Sequence, residues 1–89
     1  MSVYIVTYDL KSPGRNYQPI YDYLKRFKNC HGLESVWLID TAIDSSQIRD
    51  DLQKLVDSND VIFVVELKQH WASLRFTCSA WLKDTTRSW

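Results

Sequence analysis

The sequence predicts an α+β domain built on a four-stranded antiparallel sheet, and three observations carry that prediction. Two runs, Val3 to Asp9 and Val61 to Leu67, are rich in β-branched and aromatic residues and largely apolar on both faces. Two stretches with apolar residues at helical spacing alternate with strand-like runs, giving the order β-α-β-β-α-β. At 89 residues the chain has material for one core and not for two.

The first strand, Val3 to Asp9, would set Val3, Ile5 and Thr7 on one face and Tyr4, Val6 and Tyr8 on the other. A strand apolar on both sides is expected at the centre of a sheet, covered above and below. The turn chemistry of Lys11-Ser12-Pro13-Gly14-Arg15 ends it. From Tyr17 to about Phe27, the residues Tyr17, Ile20, Leu24 and Phe27 recur at helical spacing, with Pro19 tolerable only in the first turn. That helix would present Lys25, Arg26 and Lys28 to solvent, and Gly32 would close the unit. Leu33 to Ile43 reads as two short antiparallel strands joined by a bend near Asp40. In Asp44-Ser45-Ser46-Gln47, Asp44 would cap a second helix while Gln47 reaches back. Ile48, Leu52, Leu55 and Val56 would form that helix's buried stripe, and Asn59-Asp60 would end it. After the strand Val61 to Leu67, the spacing of Trp71, Leu74, Cys78, Trp81 and Leu82 predicts a short C-terminal helix.

This order points to a split βαβ, ferredoxin-like sheet with both helices on one face. The core would span about residues 2–67 and a helical extension about 70–83, within a single domain of residues 1–89. The face away from the helices would then expose a large apolar patch. A second copy packed sheet against sheet would bury it, so a face-to-face homodimer is expected.

Composition is that of an ordinary globular protein, 45% hydrophobic and 25% charged, which excludes a disordered chain. The formal net charge is zero, which weighs against indiscriminate binding to nucleic acid. The charge is unevenly spread, however. Residues 1–32 carry Lys11, Arg15, Lys25, Arg26 and Lys28 against Asp9 and Asp22, whereas residues 33–66 are strongly acidic. This permits a phosphate-binding surface, but solvated helix faces explain the same pattern. The N-terminus lacks a basic segment, a long apolar stretch and a small-residue cleavage site. The run Val61 to Val65 is too short to cross a bilayer, so no membrane association is expected. Cys30 and Cys78 could pair, but nothing in the sequence points to an oxidising compartment, and the expected location is cytoplasmic.

The strand ending in Tyr8-Asp9, followed by a basic loop and a helix, resembles the small CRISPR-associated adaptation-complex family (Cas-two). Ser35-Val36-Trp37 is similar to that family's Ser-Val-Phe, and the capped helix Ser45 to Val56 and strand Asp60 to Leu67 fall where its second helix and fourth strand fall. The chain also looks like the standalone SinR-like bacterial relatives, which share the Trp-containing hairpin and a Trp-Leu pair in a C-terminal helix; this is the nearer resemblance. The resemblance covers roughly residues 2–67. It implies a ferredoxin-like dimer with facing sheets and, in some members, a divalent-metal-dependent endonuclease acting on RNA or DNA. In those members the acid at the end of the first strand, here Asp9, meets its symmetry mate at the dimer axis and binds the ion. Other members only hold nucleic acid or act as scaffolds.

Phosphodiester hydrolysis needs a strong nucleophile and neutralisation of phosphate charge, and Mg²⁺ or Mn²⁺ on hard oxygen ligands supplies both. One Asp is too few in a monomer, but a two-fold axis beside it supplies a second. Ser35 would add a hydroxyl, and Lys11 or Arg15 would clamp phosphate, Arg15 better because its contacts can be bidentate. Lys11, Arg15, Lys25, Arg26 and Lys28 would form the nucleic-acid surface. Each residue has a plainer role available. An Asp entering a turn commonly caps backbone donors, a strand Ser contacts its neighbours, and Trp37 suits a core or dimer interface as well as a base-stacking platform. The loop Ser12-Pro13-Gly14 and the neutral charge depart from the family's basic pattern. The alternative expectation is therefore a non-catalytic dimeric interaction or scaffold module.

Overall fold

The computed structural model describes residues 1–11 and 16–89. Its elements run β1 (Ser2–Asp9), α1 (Gln18–Leu24), β2 (Lys28–Leu33), β3 (Val36–Thr41), α2 (Ser45–Gln53), β4 (Val61–Leu67) and α3 (Ser79–Lys83). One antiparallel four-stranded sheet has the order β2-β3-β1-β4. The two-faced β1 lies inside the sheet, as its composition predicts, with Ile5 opposite Leu38 on one side and Val65 on the other.

The sheet separates two apolar clusters. On one face Tyr4, Val6, Tyr8, Trp37 and Ile39 pack against Ile20, Tyr23 and Leu24 of α1 and Ile48 and Leu52 of α2. On the other, Val3 and Leu38 are covered by Cys78 and Leu82, with Trp71, Phe76 and Trp81 around them. The first cluster is the main core. The second is a satellite formed where the C-terminal stretch folds back over part of the sheet.

Both helices start as the sequence predicts and end sooner. Pro19 sits in the first turn of α1, and Phe27 lies beyond that helix although it still packs on the core. Asp44 caps α2 by accepting from the Gln47 backbone N–H at 2.9 Å. The Gln47 side chain does not reach back; it donates forward to Asp51 at 2.7 Å, one helical turn on. Leu55 and Val56 follow the end of α2 and are half-buried.

Three expectations are corrected. The hairpin pairs Lys28–Leu33 with Val36–Thr41, so the bend falls at Glu34-Ser35, and Asp40 is buried inside β3. Gly32 does not end the helical unit; it lies in β2, beside an irregularity between His31 and Leu33. A Cβ there would stand 2.5 Å from the Phe76 ring, so the close approach of the C-terminal stretch requires glycine. The C-terminal helix is only five residues long, because Arg75 takes a left-handed φ of 56° and leaves Leu74 in solvent.

Candidate functional site

Asp9 is the last residue of β1 and alternates with Val3, Ile5 and Thr7, which places it on the sheet face away from α1 and α2. Its β4 partner is Val61, and next along that ladder Thr7 faces Phe63 and Ile5 faces Val65. Val61, Phe63 and Val65 are 49%, 59% and 37% exposed. Asp9 therefore stands at the border of an uncovered apolar strip. The C-terminal stretch stops short of that strip, covering Val3 and Leu38 elsewhere on the same face.

The neighbourhood of Asp9 is anchored from beneath. Tyr8 is buried, donates its hydroxyl proton to the Glu34 carbonyl at 3.1 Å and accepts the Trp37 indole N–H at 3.2 Å. The Tyr8 backbone N–H donates to the Ser35 carbonyl at 3.3 Å, so the hairpin turn and the end of β1 are fastened together. Burial raises the Tyr8 hydroxyl above the ordinary tyrosine range, keeping it a neutral donor. Trp37 is 1% exposed and belongs to the core, where His31 stacks on it at 4.1 Å and Tyr21 lies 5.5 Å away. It is not available as a base-stacking platform.

Asp9 and Lys11 are joined. Lys11 Nζ lies 2.6 Å from Asp9 Oδ2, with both side chains about half exposed or more. The Lys11 backbone N–H donates to Asp60 Oδ1 at 2.9 Å, while Asp60 Oδ2 accepts from the Asp57 backbone N–H at 2.8 Å. Both Asp60 oxygens thus hold backbone turns together. Ser35 lies in the hairpin turn, at the same end of the sheet as Asp9. Arg15 lies outside the described residues. Lys25, Arg26 and Lys28 are exposed, with the Arg26 guanidinium 5.4 Å from the centre of the Tyr23 ring. Lys25 and Arg26 follow α1, whereas Lys28 opens β2, so the basic group spans the α1–β2 connection rather than one helix face.

The donor set for a divalent ion is small. Among the described residues, no group of three or more His, Cys, Asp or Glu side chains comes together. One chain offers a single exposed carboxylate at Asp9, a hard oxygen donor suited to Mg²⁺ or Mn²⁺ but too few for a site by itself. Its fit to an ion depends on a second carboxylate from another copy.

Two features of this face go beyond the sequence reading, which left the Cys30–Cys78 pairing open and set Asp40 at a bend. Cys30 and Cys78 form a disulfide across 48 residues, their Cα atoms 6.0 Å apart. Arg87 reaches Asp40 at 3.7 Å while its guanidinium lies 4.0 Å from the centre of the Trp81 ring, and the Ser88 backbone N–H donates to Asp40 at 3.0 Å. The apolar partners of Cys78 and the presence of an acid in an apolar strand were the available signals. No protein-family model matches this chain, and no solved structure matches it. None of the described helices is long and apolar enough to cross a membrane.

Proposed function

We propose that this chain is a Cas-two-like, cytoplasmic, homodimeric nucleic-acid-binding protein that cleaves a phosphodiester with Asp9 of both protomers and a divalent metal. The observation that carries the reading is the shared face: Asp9 lies on the same sheet surface as the exposed Val61, Phe63 and Val65. Apolar side chains at that exposure favour a partner surface. A second copy laid over the strip about a two-fold axis would bring the two Asp9 carboxylates towards each other. The strand order β2-β3-β1-β4, with each helix bridging two strands that flank a third, supports the ferredoxin-like assignment.

In that arrangement Asp9 and its symmetry mate would hold the ion, which supplies an activated water and neutralises phosphate charge. Lys11, already 2.6 Å from Asp9, would move from the carboxylate to the phosphate once the ion takes its place. Ser35 would contribute from the hairpin turn. Lys25, Arg26 and Lys28 would track the nucleic-acid backbone, making binding salt-dependent. RNA and DNA are both candidate substrates.

The alternative is a non-catalytic dimeric scaffold, and the Lys11–Asp9 pair favours it, because the carboxylate already has a cation beside it. A Mn²⁺ titration followed by electron paramagnetic resonance separates the two. The metal reading expects one ion per two chains, lost in Asp9→Ala; unchanged binding in that variant, or none in the wild type, leaves the scaffold.

A further inference from the structure

The C-terminal stretch, residues 68–89, packs Leu82, Trp71, Phe76 and Trp81 over Val3 and Leu38, and beyond that apolar contact it is bonded to the sheet at two points. At β2, Cys78 is bonded to Cys30, the Thr77 hydroxyl donates to the Gly32 carbonyl at 3.2 Å, and Phe76 packs against Gly32. At β3, Arg87 and Ser88 hold Asp40. Between these points the only regular element is the five-residue α3, far too short to persist by itself. The β3 anchor is weak in composition: Asp40 Oδ1 and the Arg87 Nε and Nη1 atoms are buried with no hydrogen-bond partner. The disulfide is thus the covalent fastening of a small satellite cluster, while the main core lies on the opposite face and does not include it.

We propose that Cys30–Cys78 is a redox-operated clasp whose reduction frees residues 68–89 from the sheet and lengthens the apolar face beside Asp9. On the cytoplasmic reading proposed above the bond sits in a reducing compartment, where disulfides are chiefly transient or redox-sensing, which fits a clasp and not a permanent staple. The reductant is a dithiol. Its thiolate attacks the partly exposed Cys30 Sγ, because Cys78 is fully buried. The Sγ–Sγ bond breaks, a mixed disulfide forms on Cys30, and Cys78 departs as a thiolate and takes up a proton. The second thiol then displaces Cys30 as a thiol. The dithiol ends as a cyclic disulfide, and two electrons have passed to the protein. Release uncovers Val3 and Leu38, extending the strip of Ile5, Val61, Phe63 and Val65 along the face. The consequence for pairing rests on the dimer reading above and the physiological reductant on the cytoplasmic one; the release on reduction rests on neither.

Trypsin, applied to the full chain with and without dithiothreitol, tests the clasp at Arg75, Lys83 and Arg87 in the cover. Reduction is expected to speed cleavage there by about tenfold or more while residues 1–67 stay intact, as local opening requires. Emission from Trp71, Trp81 and Trp89 is expected to shift to the red, and Cys30→Ser/Cys78→Ser to behave like the reduced protein without reductant. Equal cleavage rates in both states would overturn the clasp, since the cover would then be held without the bond. Loss of amide protection in β1 together with the cover would also overturn it, making the disulfide a staple of the whole fold. Sedimentation in both states reads the dimer separately: a monomer throughout, with the cover released, removes the dimer reading and leaves the clasp.

Discussion

The Trp37 indole N–H donates to the Tyr8 hydroxyl at 3.2 Å, joining residues 29 apart in sequence beneath the carboxylate of Asp9. The Tyr8 hydroxyl in turn donates to the Glu34 carbonyl, so one hydroxyl ties the end of β1 to both β3 and the hairpin turn. Removing that hydroxyl leaves a fully buried indole N–H without an acceptor. Tyr8→Phe is expected to lower stability by about 1–3 kcal/mol, read from the urea midpoint, with the fold retained. A midpoint equal to that of the wild type would mean that the pair is not load-sharing in solution.

A second buried hydroxyl links the two helices. Tyr23 of α1 donates to Asp51 of α2 at 2.6 Å, and this bond, with help from Gln47, holds the Asp51 carboxyl below the usual carboxylate range. A depressed carboxyl stabilises the fold above its unfolded pKa of about 3.9, and that contribution is lost as pH falls through the lower folded value. The stability gap between wild type and Tyr23→Phe should therefore narrow between neutral pH and pH 3, as urea midpoints at the two pH values would show.

The alkaline side has the opposite sign. Burial raises the hydroxyls of Tyr8 and Tyr23 above the ordinary tyrosine range, with Asp51 adding to the effect at Tyr23. Their contribution is complete below the unfolded pKa of about 10 and is lost as pH rises through the folded values. Absorbance titration at alkaline pH is expected to show Tyr8 and Tyr23 ionising above the ordinary tyrosine range, together with unfolding.

Gly32→Ala tests the seat of the C-terminal cover. The added Cβ would meet the Phe76 ring at 2.5 and 2.6 Å and Cys78 Sγ at 3.1 Å. Overpacking of this kind costs about 1–3 kcal/mol. Because the contact belongs to the satellite cluster, the expected result is faster amide exchange in residues 76–83 than in the wild type, with β1 unaffected.

Phe63→Glu addresses the uncovered strip. Phe63 is 59% exposed, so the substitution is expected to leave thermal stability within about 0.5 kcal/mol for the isolated chain. On the dimer proposal it places like charges across the two-fold axis, and sedimentation should show a monomer where the wild type shows a dimer.

How far the sequence could be read followed the range of the forces involved. The two-faced β1, the Asp44 cap and Pro19 in the first turn of α1 are local signals, and each appears in the structure as read. The misplaced bend had a local cause too: Asp40 looks like a turn residue, and only the distant Arg87 and Ser88 explain its place inside a strand. The C-terminal apolar spacing resembled a helix because Trp71, Cys78, Trp81 and Leu82 all serve one face, yet they reach it largely through irregular backbone. Of the candidate site, Asp9 and Lys11 share one end of the sheet and touch, and Ser35 is fastened to neighbouring Tyr8. That contact between Asp9 and Lys11 was not legible, since two residues past a strand end can turn either way.

The most direct test of the account is cleavage of labelled single- and double-stranded RNA and DNA by the wild type and Asp9→Ala, each with Mg²⁺, Mn²⁺ or a chelator. The account predicts cutting that requires the metal and disappears in Asp9→Ala while the variant still dimerises. Metal-dependent cutting that survives Asp9→Ala, or no cutting by a dimeric wild type across pH and metals, would contradict it.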